Sequence, residues 1–212
     1  MKTRSLVEGW RLLLLTSLLL LAAAAIAFLA HAQPADGIRQ VIRLTARTSL
    51  LLFLAAFVAS AAVTLWPGRL SHWLRRNRRQ LGLSFAVSHL IHAAAIVALA
   101  AADPLLFDQL TNAATIAGGG LAYLFILALA ATSSDRAVAW LGPRRWQRLH
   151  SIGLWAIWVT FIVTFGKRVP ADPVYGVAIL LLFGALAIRI AARRARRQGP
   201  IARSTAAEQP SG

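Results

Sequence analysis

Three histidines are the residues of this chain best suited to chemistry. His89 and His92 stand three residues apart inside an apolar run that continues to Ala102, and His150 heads another apolar run. Ionisable groups are costly in hydrocarbon, so they face a bundle interior, a water-filled cavity or a bound group. A spacing of three puts His89 and His92 on one helix face. The chain has no cysteine, and Met1 is its one methionine. Disulfides, thiolate catalysis, iron–sulfur clusters and Cys-ligated zinc are therefore excluded, and a transition metal would rest on imidazole.

Imidazoles on facing helices can hold a haem edge-on in a bundle, with the iron bound from both sides. Each ligating ring then needs an acceptor for its other N–H, and Ser88, Ser151 and Thr132 are the hydroxyls at hand. Helical spacing adds Leu154, Ile157 and Phe161 to the His150 face, and Phe85, Ser88 and Ile96 to the His92 face. Arg79, Arg144, Arg145 and Arg148 stand where they could pair with haem propionates. The alternative is a non-haem membrane protein, in which the histidines are hydrogen-bonded polar residues or form a metal-binding or transport module. His31, at the edge of the first apolar run, and His72, in a basic connector, read as interfacial and solvated.

The elements that must position these residues are membrane spans. Of 212 residues, 58% are hydrophobic and only 14% charged, with a mean hydropathy of +0.63. That composition predicts an all-α, polytopic membrane helix bundle. Six spans are expected: Leu12 to Ala30, Ser49 to Trp66, Leu81 to Ala102, Gly118 to Ala131, Leu149 to Phe165 and Pro173 to Ile190. Ala30-His31-Ala32 resembles a small-x-small cleavage site, so a cleaved signal that leaves five spans stands beside a retained first span. Residues 33–47 and 103–117 read as polar outer loops. Gly118-Gly119-Gly120 opens the fourth span, either as a close approach to a neighbouring helix or flat ligand or as a flexible junction.

The formal charge of +16 does not point to nucleic acid, because Lys and Arg cluster between apolar runs rather than along a groove with stacking aromatics. Most of them fall in 1–11, 67–80, 133–148 and 189–212, which puts both termini in the cytoplasm and leaves the lipid bilayer as the obvious partner. The domains expected are 1–44, an N-terminal span and outer loop; 45–192, the main transmembrane domain; and 193–212, a basic disordered tail. All seven acidic residues lie outside the expected spans and no internal repeat is visible, which argues against a cation-coupled transporter. Spans three and five run in the same direction, so all three histidines belong to the inner half or middle of the bundle. At about 1.5 Å per residue, His92 lies roughly 18 Å above Gln80 and His150 about 3 Å above Arg148. On that arithmetic His89 opposes His150 better than His92 does, or the fifth helix starts deeper than its charges suggest.

Several motifs now fall into an order. Arg78-Arg79-Gln80-Leu81-Gly82-Leu83 precedes the in-span His92, Thr132-Ser133 closes a span, and Leu141-Gly142-Pro143-Arg144-Arg145-Trp146-Gln147-Arg148-Leu149-His150 leads into the next. This pattern, over residues 45–170, resembles the ferric reductase-like transmembrane domain family, and within it the haem-binding membrane subunits of bacterial methionine sulfoxide reductase systems. The resemblance implies a multi-pass protein of the inner membrane that carries electrons through b-type haem, with His92 and His150 as axial iron ligands and His89 as a further candidate. Those subunits carry another histidine about a dozen residues after the position of His150. Here that stretch reads Phe161-Ile162-Val163-Thr164-Phe165, which implies a single haem. No nucleotide-binding Gly-x-Gly-x-x-Gly follows a strand, so electrons would come from a separate donor, a flavin reductase or quinol. They would leave to an outer acceptor, ferric iron or a periplasmic reductase. On this reading the chain has no catalytic residues of its own and is the electron-transfer subunit of an oxidoreductase rather than a complete enzyme.

Overall fold

The computed structural model describes residues 7–207. Part of the basic leader (1–6) and the end of the expected tail (208–212) lie outside the described residues. The described residues form nine helices and no strand: α1 (Trp10–Leu29), α2 (Pro34–Leu65), α3 (Arg69–Arg76), α4 (Arg78–Ala102), α5 (Pro104–Leu110), α6 (Ala113–Ala131), α7 (Asp135–Leu141), α8 (Pro143–Gly166) and α9 (Tyr175–Ala207). The six longest (α1, α2, α4, α6, α8 and α9) are long and apolar enough to cross a membrane. The chain is a multi-pass, all-helical membrane protein.

Helix starts follow from local chemistry. Pro34, Pro104 and Pro143 each stand in a first turn, where the missing N–H costs nothing. Asp103 accepts from Leu106 N at 3.0 Å, Asn112 from Thr115 N at 2.8 Å, and Ser134 from Ala137 N at 3.1 Å. Gly142, at φ +76°, turns the chain from α7 into α8.

The largest departure from expectation is α2. Residues 33–47 are not a loop but the first half of a 32-residue helix. Ile38, Val41, Thr45 and Ser49 recur at helical spacing and are buried, while Arg39, Arg43 and Arg47, four apart, take another face. Net charge masked the periodicity. α6 likewise begins five residues before Gly118, at an Asn112 cap. A Cβ at Gly118, Gly119 or Gly120 would meet nothing within 4 Å, so these glycines do not admit a neighbouring helix. α9 runs on through the basic cluster to Ala207, past the expected end of the sixth span.

α2 is the hub. It packs against α1, α3, α4 and α9, and α4–α6–α8–α9 complete a ring with it. Ser49, Ser84 and Ser88, all fully buried, let α4 and its neighbours approach closely. The core is aromatic and aliphatic: Phe53, Phe57, Phe85, Ile126, Ile157, Phe161 and Leu182. α1 stands outside the ring but is tied to it. Thr16 Oγ1 lies 2.6 Å from Ser84 Oγ, Gly9 N donates to Asn77 Oδ1 at 2.8 Å, and Trp73 Nε1 donates to the Val7 carbonyl at 2.9 Å.

Candidate functional site: two histidine-bearing chambers

Two open cavities are set into the ring of helices, called outer and inner after the orientation expected from the sequence. The outer one, about 1410 Å³, is lined by the N-terminal half of α2, the C-terminal halves of α4 and α8, α5 and the start of α6. The inner one, about 890 Å³, is lined by the opposite ends of α2, α4, α6, α8 and α9 together with α3 and α7.

His89 and His92 both line the outer cavity, their rings 5.3 Å apart. His92 is held by α2. Its Nδ1 lies 3.1 Å from the Ile42 carbonyl and 3.0 Å from Thr45 Oγ1. A carbonyl only accepts, so the proton sits on Nδ1. Thr45 spends its own O–H on the Val41 carbonyl at 2.6 Å, so its oxygen also accepts from His92. That fixes the tautomer and leaves Nε2 with a free lone pair. A ladder of hydroxyls holds the two helices in register beneath it. Thr48 Oγ1 and Ser49 Oγ each lie 2.9 Å from Ser88 Oγ, and Ser88 donates to the Thr45 carbonyl at 3.3 Å.

His89 is surrounded by rings instead. Its centroid lies 5.1 Å from that of Phe85, 5.4 Å from Tyr123 and 5.9 Å, edge-on, from Phe161. Its Nδ1 is buried with no hydrogen-bond partner. His92 is thus oriented by a carbonyl and a hydroxyl, as metal-ligating imidazoles are, whereas His89 is not.

His150 lines the inner cavity. It stacks on Trp146 with centroids 4.1 Å apart, and its Nε2 lies 3.0 Å from Thr132 Oγ1. Thr132 donates its O–H to the Ala128 carbonyl at 2.6 Å, so His150 Nε2 carries the proton and Nδ1 the lone pair. Trp146 Nε1 donates to the Thr132 carbonyl at 2.8 Å and locks the group. Of the three hydroxyls considered from sequence, Thr132 serves His150, Ser88 serves the helix interface, and Ser151 lines both cavities.

The structure therefore brings His89 and His92 together and sets His150 apart. Phe161 lies level with His89, and the α8 segment from His150 to Phe161 is about 16 Å long. Between the cavities stand the rings of Phe53, Phe85 and Phe161, 5.3 to 6.2 Å apart, with Ile126 and Ile157 on the borders of both. The iron expected between His92 or His89 and His150 would have to bridge from one cavity to the other across these rings. The reason is where α8 begins: Pro143 starts it within the expected connector, so His150 falls in its second turn, near the inner face.

The cationic linings also differ from expectation. Arg144, Arg145 and Arg148 are exposed, and Arg79 pairs with Asp135 at 3.6 Å. The outer cavity instead carries Arg39, Arg43 and Arg47 from α2, with Lys167 and Arg168. Those five, with Thr45 and Ile42, are what sequence reasoning missed as functional residues. Their signal was the four-residue spacing of the arginines. His31 and His72 are exposed, each with Nδ1 against a carbonyl of its own helix turn, at 3.0 and 2.8 Å. Among the described residues no three His, Cys, Asp or Glu converge as a metal cluster.

Fold and chambers define a multi-pass membrane protein with imidazoles set around cofactor-sized cavities. In sequence the chain is similar to the protein-methionine-sulfoxide reductase heme-binding subunit MsrQ of Azospira oryzae, with 34% identity over 121 residues. The match covers 53% of this chain and 51% of that protein, so the chain spans about half the length of the curated relative it matches. No family model matches the chain, and no solved structure does.

Proposed function

We propose that this chain is the membrane electron-transfer subunit of an oxidoreductase, holding b-type haem and linking a cytoplasmic-side donor to an acceptor outside the inner membrane. The observation that carries the reading is His92: α2 fixes its Nδ1 proton and turns Nε2 free toward a large apolar cavity. The residues around that cavity fit a haem. Tyr123, Trp155 and Phe161 offer flat apolar walls, and Arg39, Arg43 and Arg47 offer cations for its carboxylates. Haem, when bound, supplies reversible one-electron chemistry.

His92 would hold the haem iron in the outer chamber, with His89 beside it as the alternative one turn away. His150 is the candidate ligand of the inner chamber, so each chamber has its own seat. The name of the similar protein, a haem-binding subunit of a reductase, supports the same reading. On this reading the donor is a flavin reductase or quinol and the acceptor a periplasmic reductase or ferric iron.

The test is spectroscopic. Detergent-purified protein expressed with ample haem should be red, with a Soret band that shifts on dithionite reduction. His92→Ala should remove one component and leave that of His150, and His150→Ala the reverse. Colourless wild-type protein would refute the proposal. Loss in His89→Ala with retention in His92→Ala would move the outer ligand by one turn.

A further inference from the structure

The inner chamber holds more positive charge than its own residues balance. Arg189, Arg193 and Arg196 follow one another on α9 at spacings of four and three, which makes one stripe running outward from the bundle. Arg78 from α4 lines the same cavity. Arg189 is the deepest of them. It donates from Nη1 to the Phe57 carbonyl at 2.8 Å, and its guanidinium lies 4.3 Å from the Phe57 ring centroid and 5.7 Å from that of Trp155. Its Nε is buried with no partner. Arg196 donates to the Ser60 carbonyl at 3.0 Å and to Thr64 Oγ1 at 2.8 Å, and Arg78 reaches Ser60 Oγ at 3.5 Å.

Carboxylates do not answer this cluster. Asp135 is the acidic residue on the cavity wall; its side chain is fully exposed and it faces Arg79. Glu8 is engaged by Arg76 at 3.2 Å. Among the described residues none of Arg78, Arg189, Arg193 and Arg196 has a carboxylate within ion-pair distance. Like charges gathered at a membrane boundary, one of them with an orphaned donor, call for an anion with several acceptor oxygens. A phosphate matches, because planar guanidinium forks bind its oxygens in pairs and the inner leaflet presents phosphates at this depth.

We propose that the inner chamber binds a phosphate group between Arg78, Arg189 and Arg193, either the headgroup phosphate of an anionic phospholipid or that of a soluble phosphate ester. The site does not depend on haem, and the test can be read on haem-free protein. Full-length protein is washed extensively in detergent, its total phosphorus is measured, and the bound fraction is partitioned between chloroform–methanol and water. Stoichiometric phosphorus is expected in the wild type. Recovery in the organic phase assigns a lipid, and recovery in water assigns a phosphate ester; either upholds the site.

Arg193→Gln should weaken retention by about tenfold or more, the effect of losing one charge-assisted contact. Its side chain is exposed, so the fold is not at stake. Arg189→Gln should weaken it at least as much. Wild-type protein free of phosphorus, or retention unchanged in Arg193→Gln and in any folded Arg189→Gln, would overturn the proposal.

Discussion

Thr45 does for His92 what no residue near it in sequence does. Its hydroxyl, itself committed to the Val41 carbonyl, accepts the Nδ1 proton together with the Ile42 carbonyl. Thr45→Val keeps the shape and removes the acceptor. Loss of such a supporting partner should weaken haem retention by roughly 10–100-fold, and Thr45→Ser should restore it. The Soret absorbance per protein after detergent washing measures this, and equal retention in wild type and Thr45→Val would dismiss the role. His92 itself was legible as a candidate, because an imidazole in an apolar run is conspicuous. Its partner was not. Thr45 lies between Arg43 and Arg47, and charge at that density reads as solvent until the spacing of four is set against the buried set Ile38, Val41 and Ser49.

Hydropathy located every helix long and apolar enough to cross a membrane, yet it missed how far α2, α6, α8 and α9 extend. α2 gained its first half from residues whose polar face, with Arg39, Arg43 and Arg47, lines an open cavity. α8 gained a turn and more from Pro143, and His150 keeps the place near its helix start that its flanking arginines indicated. The start of α2 also shows how tightly the α1–α2 turn is built. A Cβ on Gly37 would sit 2.6 Å from the Phe28 carbonyl oxygen, a backbone atom that cannot swing aside. A Cβ on Gly153 would meet only the side chain of Leu129, at 3.0 Å. Gly37→Ala should therefore cost about 1–3 kcal/mol by overpacking, and Gly153→Ala clearly less. Thermal unfolding of the two purified variants compares them; a Gly153→Ala protein as unstable as Gly37→Ala would contradict the packing described.

Across the bundle, some of the arginines that predict orientation, Arg78, Arg79, Arg189, Arg193 and Arg196 among them, also line the inner chamber. If both termini are cytoplasmic, as the distribution of Lys and Arg predicts, α5 faces outward and the turn into α8 faces inward. The chain has no cysteine to interfere, so single cysteines can be placed at will. In intact spheroplasts a membrane-impermeant maleimide should label Gln109→Cys and spare Gln147→Cys, and permeabilisation should expose the second. The reverse pattern would invert the molecule and exchange the donor and acceptor sides. The distribution of Lys and Arg along the sequence is what predicts this orientation. The separation of the histidines was legible in part: the rise per residue set His92 well above His150, and the structure places the two in different cavities.

The rings of Phe53, Phe85 and Phe161 have a consequence for energy conservation. Two open vestibules approach each other from opposite ends of the bundle, and a few phenyl groups form the septum between them. In a membrane that holds a proton gradient such a septum has to be dry, because a file of water through it would let protons run down that gradient. Phe161→Ala should turn the bundle into a leak. Proteoliposomes carrying it should lose an imposed pH gradient faster than those with wild-type protein, as followed by a trapped pH dye. Equal decay would mean that the barrier lies elsewhere along the axis.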